Sequence, residues 1–254
     1  MQGHEYDRTF FGYIEVGARR SAEVIVPAVQ EMLPISSMAD IGCGRGVWVA
    51  EWRNRGVSDA VGVDGDYVDT ASLVIPPDRF RAQDLCRPFS LGRRFDLIQC
   101  LEVGEHLPAE CAGVFVDNLI AHGDVVLFSA ATPGQGGEHH VNEQPPEYWR
   151  DQFASRGYLA FDPLRPAIRN RTEVEAWYRY NTLLFVREDR CGGLPLSVRN
   201  TAIPPGAPIA EMAPLPWRVR KFILARLPQP TVTQISVAKH NVINLSRKLR
   251  GSWA

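Results

Sequence analysis

Short apolar runs alternate with amphipathic segments along the first two thirds of the chain. The apolar runs predict strands, and apolar residues at helical spacing predict the helices between them. The predicted strands are Met38–Ile41, Ala60–Val63, Phe80–Ala82, Phe95–Cys100 and Val125–Phe128. The predicted helices are Ser21–Leu33, Val47–Arg55, His106–Ala121 and Pro146–Arg156. This alternation predicts an α/β fold of Rossmann-like type, with a parallel sheet covered by helices on both faces.

The pattern changes after Gly157. Tyr158–Phe161 and Thr182–Val186 predict two more strands, which can pair as an antiparallel edge. Six prolines then make the stretch Gly192–Pro216 a poor former of helices or sheets, and Trp217–Leu227 predicts a short helix of mixed basic and apolar residues. We therefore expect an N-terminal helical or lid segment (1–35), a cofactor-binding domain (36–190) and a Pro-rich C-terminal extension (191–254).

Composition narrows the class of protein. The chain has 254 residues, 45% hydrophobic and 22% charged, with a net charge of −1. A near-neutral charge gives no general attraction for nucleic acid, and no apolar run is long enough to span a membrane. The five cysteines are scattered and odd in number, which favours reduced thiols, and hence a cytoplasmic location, over a disulfide framework.

A glycine-rich segment carries the strongest chemical signal. The first predicted strand runs directly into Asp40-Ile41-Gly42-Cys43-Gly44-Arg45-Gly46, and a predicted helix follows. Glycines allow a sharp turn and a close approach of the backbone to a ligand. In dinucleotide-binding proteins the third glycine lies one position later, where Val47 stands here. The early Gly46, and the acid Asp40 before the loop, suit a cationic ligand better than a pyrophosphate.

Two acids follow at the ends of the next predicted strands. Asp64 lies 22 positions after Gly42, the spacing at which a carboxylate accepts hydrogen bonds from ribose hydroxyls. Asp84 follows the strand Phe80–Ala82 and is placed to meet a purine amino group, although a simple turn residue is the alternative. Together these features predict a nucleoside-containing cofactor.

At this point the sequence resembles the class I methyltransferases that use S-adenosylmethionine (SAM). The resemblance rests on four motifs and covers about Met38 to Arg187: Asp40–Gly46, Val61–Asp64, Ala82–Leu85 and Phe95–Cys100. It implies a seven-stranded sheet with a reversed last strand. It also implies a cofactor site formed by Asp40, Gly42, Gly44, Gly46, Asp64, Asp84, Leu85 and Gln99.

A cluster of acids and histidines suggests a metal site. Glu102, Glu105 and His106 stand at i, i+3 and i+4, which in a helix places them on one face. A later glycine-rich segment adds His139 or His140, and the set suits Mg²⁺ or a similar ion. The run resembles the Glu-x-x-Glu-His of metal-dependent small-RNA 2′-O-methyltransferases. Alternatively, Glu105 caps a helix and His106 acts as a general base without a metal.

These features predict an enzyme, a SAM-dependent O-methyltransferase that acts on a hydroxyl of a small molecule or sugar. Glu105 and His106 are the predicted catalytic residues. RNA 2′-O-methylation and SAM binding without methyl transfer are the alternatives. We also expect Tyr6 and Tyr13 to fold over the cofactor as a lid, unless the N-terminus is unstructured, and the C-terminal extension to form a homodimer contact.

Overall fold

The computed structural model describes residues 8–228, 231–236 and 238, with side chains from residue 15 onward. The predicted lid side chains, Tyr6 and Tyr13, therefore lie outside the described part. The first helix, α1, runs from Arg8 to Met32 and begins well before the predicted start at Ser21. The described strands are β1 (Ser37–Ile41), β2 (Asp59–Asp64), β3 (Phe80–Ala82), β4 (Leu97–Leu101), β5 (Val125–Ser129), β6 (Tyr158–Phe161), β7 (Leu183–Arg187) and β8 (Ala202–Ile203).

The strands form one sheet in the order β3-β2-β1-β4-β5-β7-β6-β8. Strands β1 to β5 pair in parallel, and β7 is antiparallel to both β5 and β6. The α/β class and the reversed late strand are thus confirmed. The resemblance implied seven strands, and the structure adds β8, which pairs antiparallel with β6. Because β8 follows residue 190, the C-terminal extension contributes to the sheet.

Helices cover both faces of the sheet, as predicted. They are α2 (Val47–Asn54), α3 (Ala112–His122), α4 (Pro146–Ala154), α5 (Leu164–Ile168), α6 (Ala176–Asn181), α7 (Leu196–Arg199) and α8 (Leu215–Leu224). One core packs α1, α2 and α5 against the sheet and includes Ile25, Trp52 and Ile168. The other packs α3 and α4 on the opposite face, around Phe115 and Phe153. Burial on both faces explains why the central strands are almost continuously apolar.

The segment that carries the predicted metal ligands differs from the prediction. Glu102 has a φ of +57°, and only Gly104–His106 forms a short 3-10 turn, so the run 102–106 is not an α-helix. The helix predicted from His106 begins instead at Ala112, because Pro108 and a second 3-10 turn precede it. The acids and the histidine are therefore placed by a strand end and a tight turn.

The expectation of reduced cysteines is wrong for one pair. Cys86 and Cys111 form a disulfide, and their Cα atoms lie 5.1 Å apart. Cys86 follows β3 and Cys111 precedes α3. Both loops lie at the carboxyl edge of the sheet, which brings them together across 25 residues of sequence. Cys43, Cys100 and Cys191 are free thiols. The cysteine pattern therefore no longer supports a cytoplasmic location, which stays a prediction.

Helices that could cross a lipid bilayer are absent from the described ranges, since none combines sufficient length with sufficient hydropathy.

Candidate active site

The glycine-rich segment forms a tight loop between β1 and α2, here called the cofactor loop (residues 42–46). Gly42 and Gly46 have φ values of +84° and +88°, which favour glycine. A Cβ atom at Gly42 would lie 2.3 Å from a methyl carbon of Val103. The loop can therefore keep this path only with glycine at these positions.

A cleft of about 550 Å³ opens beside the cofactor loop, at the carboxyl edge of the parallel strands. Its wall contains five of the predicted cofactor residues: Gly42, Gly44, Asp64, Asp84 and Leu85. The other three, Asp40, Gly46 and Gln99, lie outside the wall. Ligands of open α/β sheets bind at this edge. The cleft is therefore the candidate cofactor site.

Asp64 is buried and lines the cleft. One carboxylate oxygen accepts a hydrogen bond of 2.6 Å from the backbone N–H of Gly44. The other accepts one of 2.7 Å from the N–H of Gly65, and the hydroxyl of Tyr67 also donates to it. Burial raises the pKa of Asp64, against the effect of these hydrogen bonds. A ribose hydroxyl could take the place of the Tyr67 hydroxyl, because Tyr67 is 57% exposed.

Asp84 also lines the cleft and is exposed. Its carboxylate accepts a hydrogen bond of 2.9 Å from the N–H of Cys86 and lies 3.3 Å from the guanidinium of Arg87. It therefore serves as a turn residue here, and its position on the cleft wall also leaves it accessible to a purine amino group. The two interpretations left open by the sequence are compatible in this geometry.

Asp40 lies beneath the cofactor loop and is part of a buried chain of hydrogen bonds. The indole N–H of Trp52 donates to Gln99 over 3.0 Å, and the Gln99 amide donates to Asp40 over 3.1 Å. The second oxygen of Asp40 has no hydrogen-bond partner among the described residues. Burial, together with the charge of Asp64, raises the pKa of Asp40 to about 7 despite the Gln99 hydrogen bond.

The charges around the cleft are negative. Asp64, Asp84 and Glu102 line it, and among its described lining residues none is lysine or arginine. A pyrophosphate would meet carboxylates there without a counterion. A ligand with a sulfonium and an ammonium group would instead relieve the cost of burying Asp64 and Glu102. The electrostatics thus agree with the cationic ligand expected from Asp40 and Gly46.

A second cavity of about 240 Å³ adjoins the cleft. Gly42, Gly44, Glu102 and His106 line both spaces. The second cavity also has aromatic walls, to which Trp48, Trp177, Tyr178 and Trp217 contribute. Two adjoining spaces that share a polar boundary can hold a donor and an acceptor side by side.

Glu102 stands at the boundary between the two spaces. Its carboxylate accepts hydrogen bonds from the side-chain amides of Gln135, over 2.6 Å, and Asn181, over 3.3 Å. The Asn181 amide also donates to Gln135 over 2.7 Å, which closes a three-residue network. Burial raises the pKa of Glu102 despite these hydrogen bonds.

Three of the predicted metal ligands come together. Potential ligand atoms of Glu105, His106 and His140 all lie within 4.8 Å of one another. Among the described residues, both carboxylate oxygens of Glu105 and Nδ1 of His106 are buried without a hydrogen-bond partner of normal geometry. Glu102 and His139 do not belong to this group, and His139 has a φ of +58°. A divalent cation between these residues would be coordinated by two imidazoles and a carboxylate.

Burial sets the protonation of this group. It raises the pKa of Glu105 well above its usual range, and the charge of Glu102 adds to the effect. Burial, with a contribution from His140, lowers the pKa of His106 to about 3. His106 is therefore neutral at physiological pH, which suits a metal ligand, and its low basicity makes it a weak general base.

His140 lies on a glycine-rich segment, residues 132–142, here called the histidine loop. Nδ1 of His140 lies 2.8 Å from a carboxylate oxygen of Glu143. Glu143 also accepts hydrogen bonds of 2.8 Å from the N–H groups of Gly134 and Gly136. The N–H of Val141 donates to the carbonyl of Glu105, which ties the loop to the acids. Glu143 thus orients the imidazole, as carboxylates do behind metal-bound histidines.

The fold can be compared with known structures now that the site is described. No protein-family model matches the sequence, and no curated protein matches it either. The structure is similar to the sugar N-methyltransferase KedS8 from Streptoalloteichus sp ATCC 53650, with a TM-score of 0.52 and 19% identity over 74% of this chain and 94% of that one. The fold is that of a methyltransferase. Two further methyltransferase-fold comparisons give lower scores.

DesVI from Streptomyces venezuelae has a TM-score of 0.43 and 22% identity, over 53% of this chain and 62% of that one. Magnesium protoporphyrin IX methyltransferase from Synechocystis PCC 6803, with bound SAM, has a TM-score of 0.46 and 19% identity over 73% and 86%.

Sequence reasoning missed several residues of the candidate site in this methyltransferase fold. Gln135 and Asn181 meet Glu102 from distant parts of the chain, and no local pattern marks either. The sequence spacing could have indicated Glu143, because it stands three positions after His140 and can therefore contact the His140 imidazole. From the sequence, the run Trp177-Tyr178-Arg179-Tyr180 suggests either a wall of the acceptor pocket or burial against the sheet, and Trp217 lies in the predicted helix of mixed basic and apolar residues.

Proposed function

We propose that this protein is a SAM-dependent methyltransferase. The observation that carries the proposal is the acid-lined cleft beside the cofactor loop, which shares Glu102 and His106 with a second cavity. SAM would place its ribose against Asp64 and its adenine near Asp84 and Leu85. The acceptor would occupy the second cavity.

Direct displacement at the sulfonium carbon is the chemistry that SAM supplies. The protein's own contribution is then mainly to align the acceptor with the methyl group and to remove water from both. Glu102 is suited to positioning, because Gln135 and Asn181 hold its carboxylate at the boundary between the two spaces. The aromatic walls of the second cavity exclude water from the acceptor.

We further propose that the acceptor atom is a hydroxyl oxygen, and that a divalent cation such as Mg²⁺ assists. Glu105, His106 and His140 would hold the ion, with Glu143 behind His140. A bound cation lowers the pKa of a hydroxyl that contacts it. The support for this proposal is the convergence of Glu105, His106 and His140, whose potential ligand atoms all lie within 4.8 Å of one another. His106, with a pKa of about 3, is too weak a base to serve alone.

A nitrogen acceptor is the second candidate. KedS8 is a sugar N-methyltransferase with a similar fold. At 19% identity the likeness supports the fold alone, but a neutral amine needs no metal for activation. A reaction that is unaffected by removal of divalent cations would favour this alternative.

The first test measures cofactor binding and needs no acceptor. Calorimetry with SAM and with S-adenosylhomocysteine should give binding to the wild type and strongly weakened binding to Asp64→Asn. Asp59→Asn, at a half-buried acid of the same strand that pairs with Arg93 and lies outside the cleft, is the matched control. Absence of binding to the wild type would refute the proposed function.

The second test addresses transfer. Labelled SAM should pass its methyl group to a hydroxylated acceptor, and EDTA should stop the reaction until Mg²⁺ or Mn²⁺ is restored. Full activity in EDTA would exclude the metal, and an N-methyl product would exclude the hydroxyl.

The domain limits 1–35, 36–190 and 191–254 and the homodimer contact of the C-terminal extension remain proposals. Support for the contact comes from α8, which exposes Leu215, Val219, Phe222 and Ile223. Sedimentation analysis of the full chain would test the homodimer.

A further inference from the structure

The C-terminal extension is seated directly on the histidine loop. A Cβ atom at Gly134 would lie 2.0 Å from the carbonyl oxygen of Lys221 in α8. The ammonium of Lys221 also donates to the hydroxyl of Thr132 over 3.2 Å and lies 2.6 Å from the carboxylate of Glu211. Val232, further along the extension, is buried and would lie 2.9 Å from a Cβ at Gly136. The histidine loop therefore packs against α8 and holds it over the second cavity.

Two side chains of α8 reach the second cavity from this position. Trp217 and Arg220 both line it, as does Ser236 from the segment that follows. The guanidinium of Arg220 donates to the carbonyl oxygen of Gln135 over 2.7 Å. Its Cζ atom lies 4.9 Å from the centre of the Trp217 ring, so the two side chains support each other. The extension thus forms part of the wall of the acceptor space.

The cavity combines aromatic faces with hydrogen-bonding groups. Trp48 and Tyr178 pack edge to face, with ring centres 5.1 Å apart, and Trp177 lies 6.0 Å from Tyr178. Glu102 and Gln135 supply polar atoms from the same walls. At about 240 Å³ the cavity is smaller than the roughly 300–1,000 Å³ pockets of drug-sized ligands. It can hold one ring, with the rest of a larger acceptor outside.

Arg220 differs from the other arginine of the cavity in its availability. Arg45 forms a salt bridge of 2.9 Å with Glu15 and donates to the carbonyl of Ser72 over 2.6 Å. Arg220 donates to a backbone carbonyl and stacks on a ring. A guanidinium has five N–H donors in a planar fork and no acceptor. Arg220 is therefore suited to donate hydrogen bonds to oxygen atoms of a bound acceptor.

We propose that the acceptor is a sugar ring, and that Trp217 and Arg220 of the C-terminal extension select it. A sugar ring presents C–H bonds on its faces and hydroxyl oxygens around its rim. The faces match the aromatic walls, and the oxygens match the guanidinium of Arg220 and the amide of Gln135. The inference rests on the proposed function, because it assigns the acceptor of that same site.

The test uses saturation-transfer NMR on the full chain with S-adenosylhomocysteine and Mg²⁺. The probes are methyl β-D-glucopyranoside and, as a flat aromatic diol, catechol. We expect the glucoside to bind the wild type. Trp217→Ala and Arg220→Met should each weaken that binding by about tenfold, the effect of losing one charge-assisted hydrogen bond or ring contact. Affinity for S-adenosylhomocysteine should be unchanged.

Phe222 and Arg226 provide a matched control on the solvent face of the same segment. The Arg226 Cζ atom lies 3.2 Å from the centre of the Phe222 ring, and neither residue lines the cavity. Phe222→Ala and Arg226→Met should therefore leave glucoside binding unchanged.

If the wild type binds S-adenosylhomocysteine, any of three results would overturn the inference. They are no glucoside binding to the wild type, binding of catechol but not of the glucoside, and equal effects of the cavity and control variants. Failure of S-adenosylhomocysteine to bind the wild type would instead refute the proposed function, and with it this inference.

Discussion

Replacing Asp40 with asparagine should stabilise the fold above neutral pH and weaken the binding of a cationic cofactor. The wild-type carboxyl is buried, and its pKa rises from 3.8 to about 7. In the unfolded chain it titrates near the lower value. Between about pH 4 and pH 7 the folded state therefore holds one more proton than the unfolded state, so wild-type stability is lost as pH rises.

The magnitude follows from the size of the shift. A rise of about three pKa units corresponds to about 4 kcal/mol in the free energy of unfolding. Asparagine has nearly the same shape, can still accept the hydrogen bond from Gln99, and cannot ionise. The gain of Asp40→Asn over the wild type should thus grow from about 2 kcal/mol at pH 5 to about 4 kcal/mol at pH 8.

Urea unfolding of both proteins across this range measures the difference directly. Other buried carboxyls titrate in both proteins, so their contributions cancel in the comparison. Asp78→Asn, at an exposed carboxyl, controls for the loss of one negative charge. A gain that is the same at pH 5 and pH 8, or a loss of stability at pH 8, would refute the reasoning.

The same substitution should weaken SAM binding at pH 8. A carboxylate several ångströms from a positive ligand contributes roughly 1–2 kcal/mol at an effective dielectric constant near 20, or about tenfold in Kd. Calorimetry at pH 8 would measure this change. Unchanged SAM affinity would mean that Asp40 has only a structural role.

Three further predictions concern the remaining parts of the site. Asp64→Asn should raise the Kd for SAM about 100-fold by calorimetry, because its amide cannot accept all the hydrogen bonds of the carboxylate. Binding of Mn²⁺ should release protons, because burial raises the pKa of Glu105 and a metal ligand must be ionised. Titrations in buffers of different ionisation enthalpy would count the protons released, and Glu105→Gln should release fewer than the wild type. Reduction of the Cys86–Cys111 disulfide by a dithiol should weaken SAM binding several-fold, because Cys86 follows Leu85 on the cleft wall. In the Cys86→Ser/Cys111→Ser double variant, SAM affinity should no longer change with reductant. In Cys191→Ser it should change as it does in the wild type.

The parts of the fold that the sequence predicts well are those with local signals. The strands Phe80–Ala82 and Tyr158–Phe161 have the predicted limits, because each is a short apolar run with clear boundaries. The cofactor loop was recognisable because its backbone conformation requires glycine at particular positions. Such constraints act over a few residues and therefore appear in the sequence.

The parts that the sequence missed depend on contacts between distant segments. The spacing of Glu102 and His106 suggested a helix, but the left-handed backbone at Glu102 breaks it, and Ser129 of the neighbouring strand fixes that position by accepting the N–H of Glu102 over 2.9 Å. The disulfide and the network of Gln135 with Asn181 likewise join loops that are far apart in the chain. No periodicity or motif reports such pairs.

The position of α8 over the second cavity has a consequence for how a methyltransferase of the proposed kind would diversify. The described residues that line the cleft precede β5, whereas one wall of the second cavity comes from residues that follow β7. If the proposed function is right, exchange of α8 would change the acceptor preference and leave the lining of the cleft unchanged. A chimera that keeps residues 1–213, with β8 and the buried Leu194, Val198 and Ile209, and receives another α8 would test this consequence.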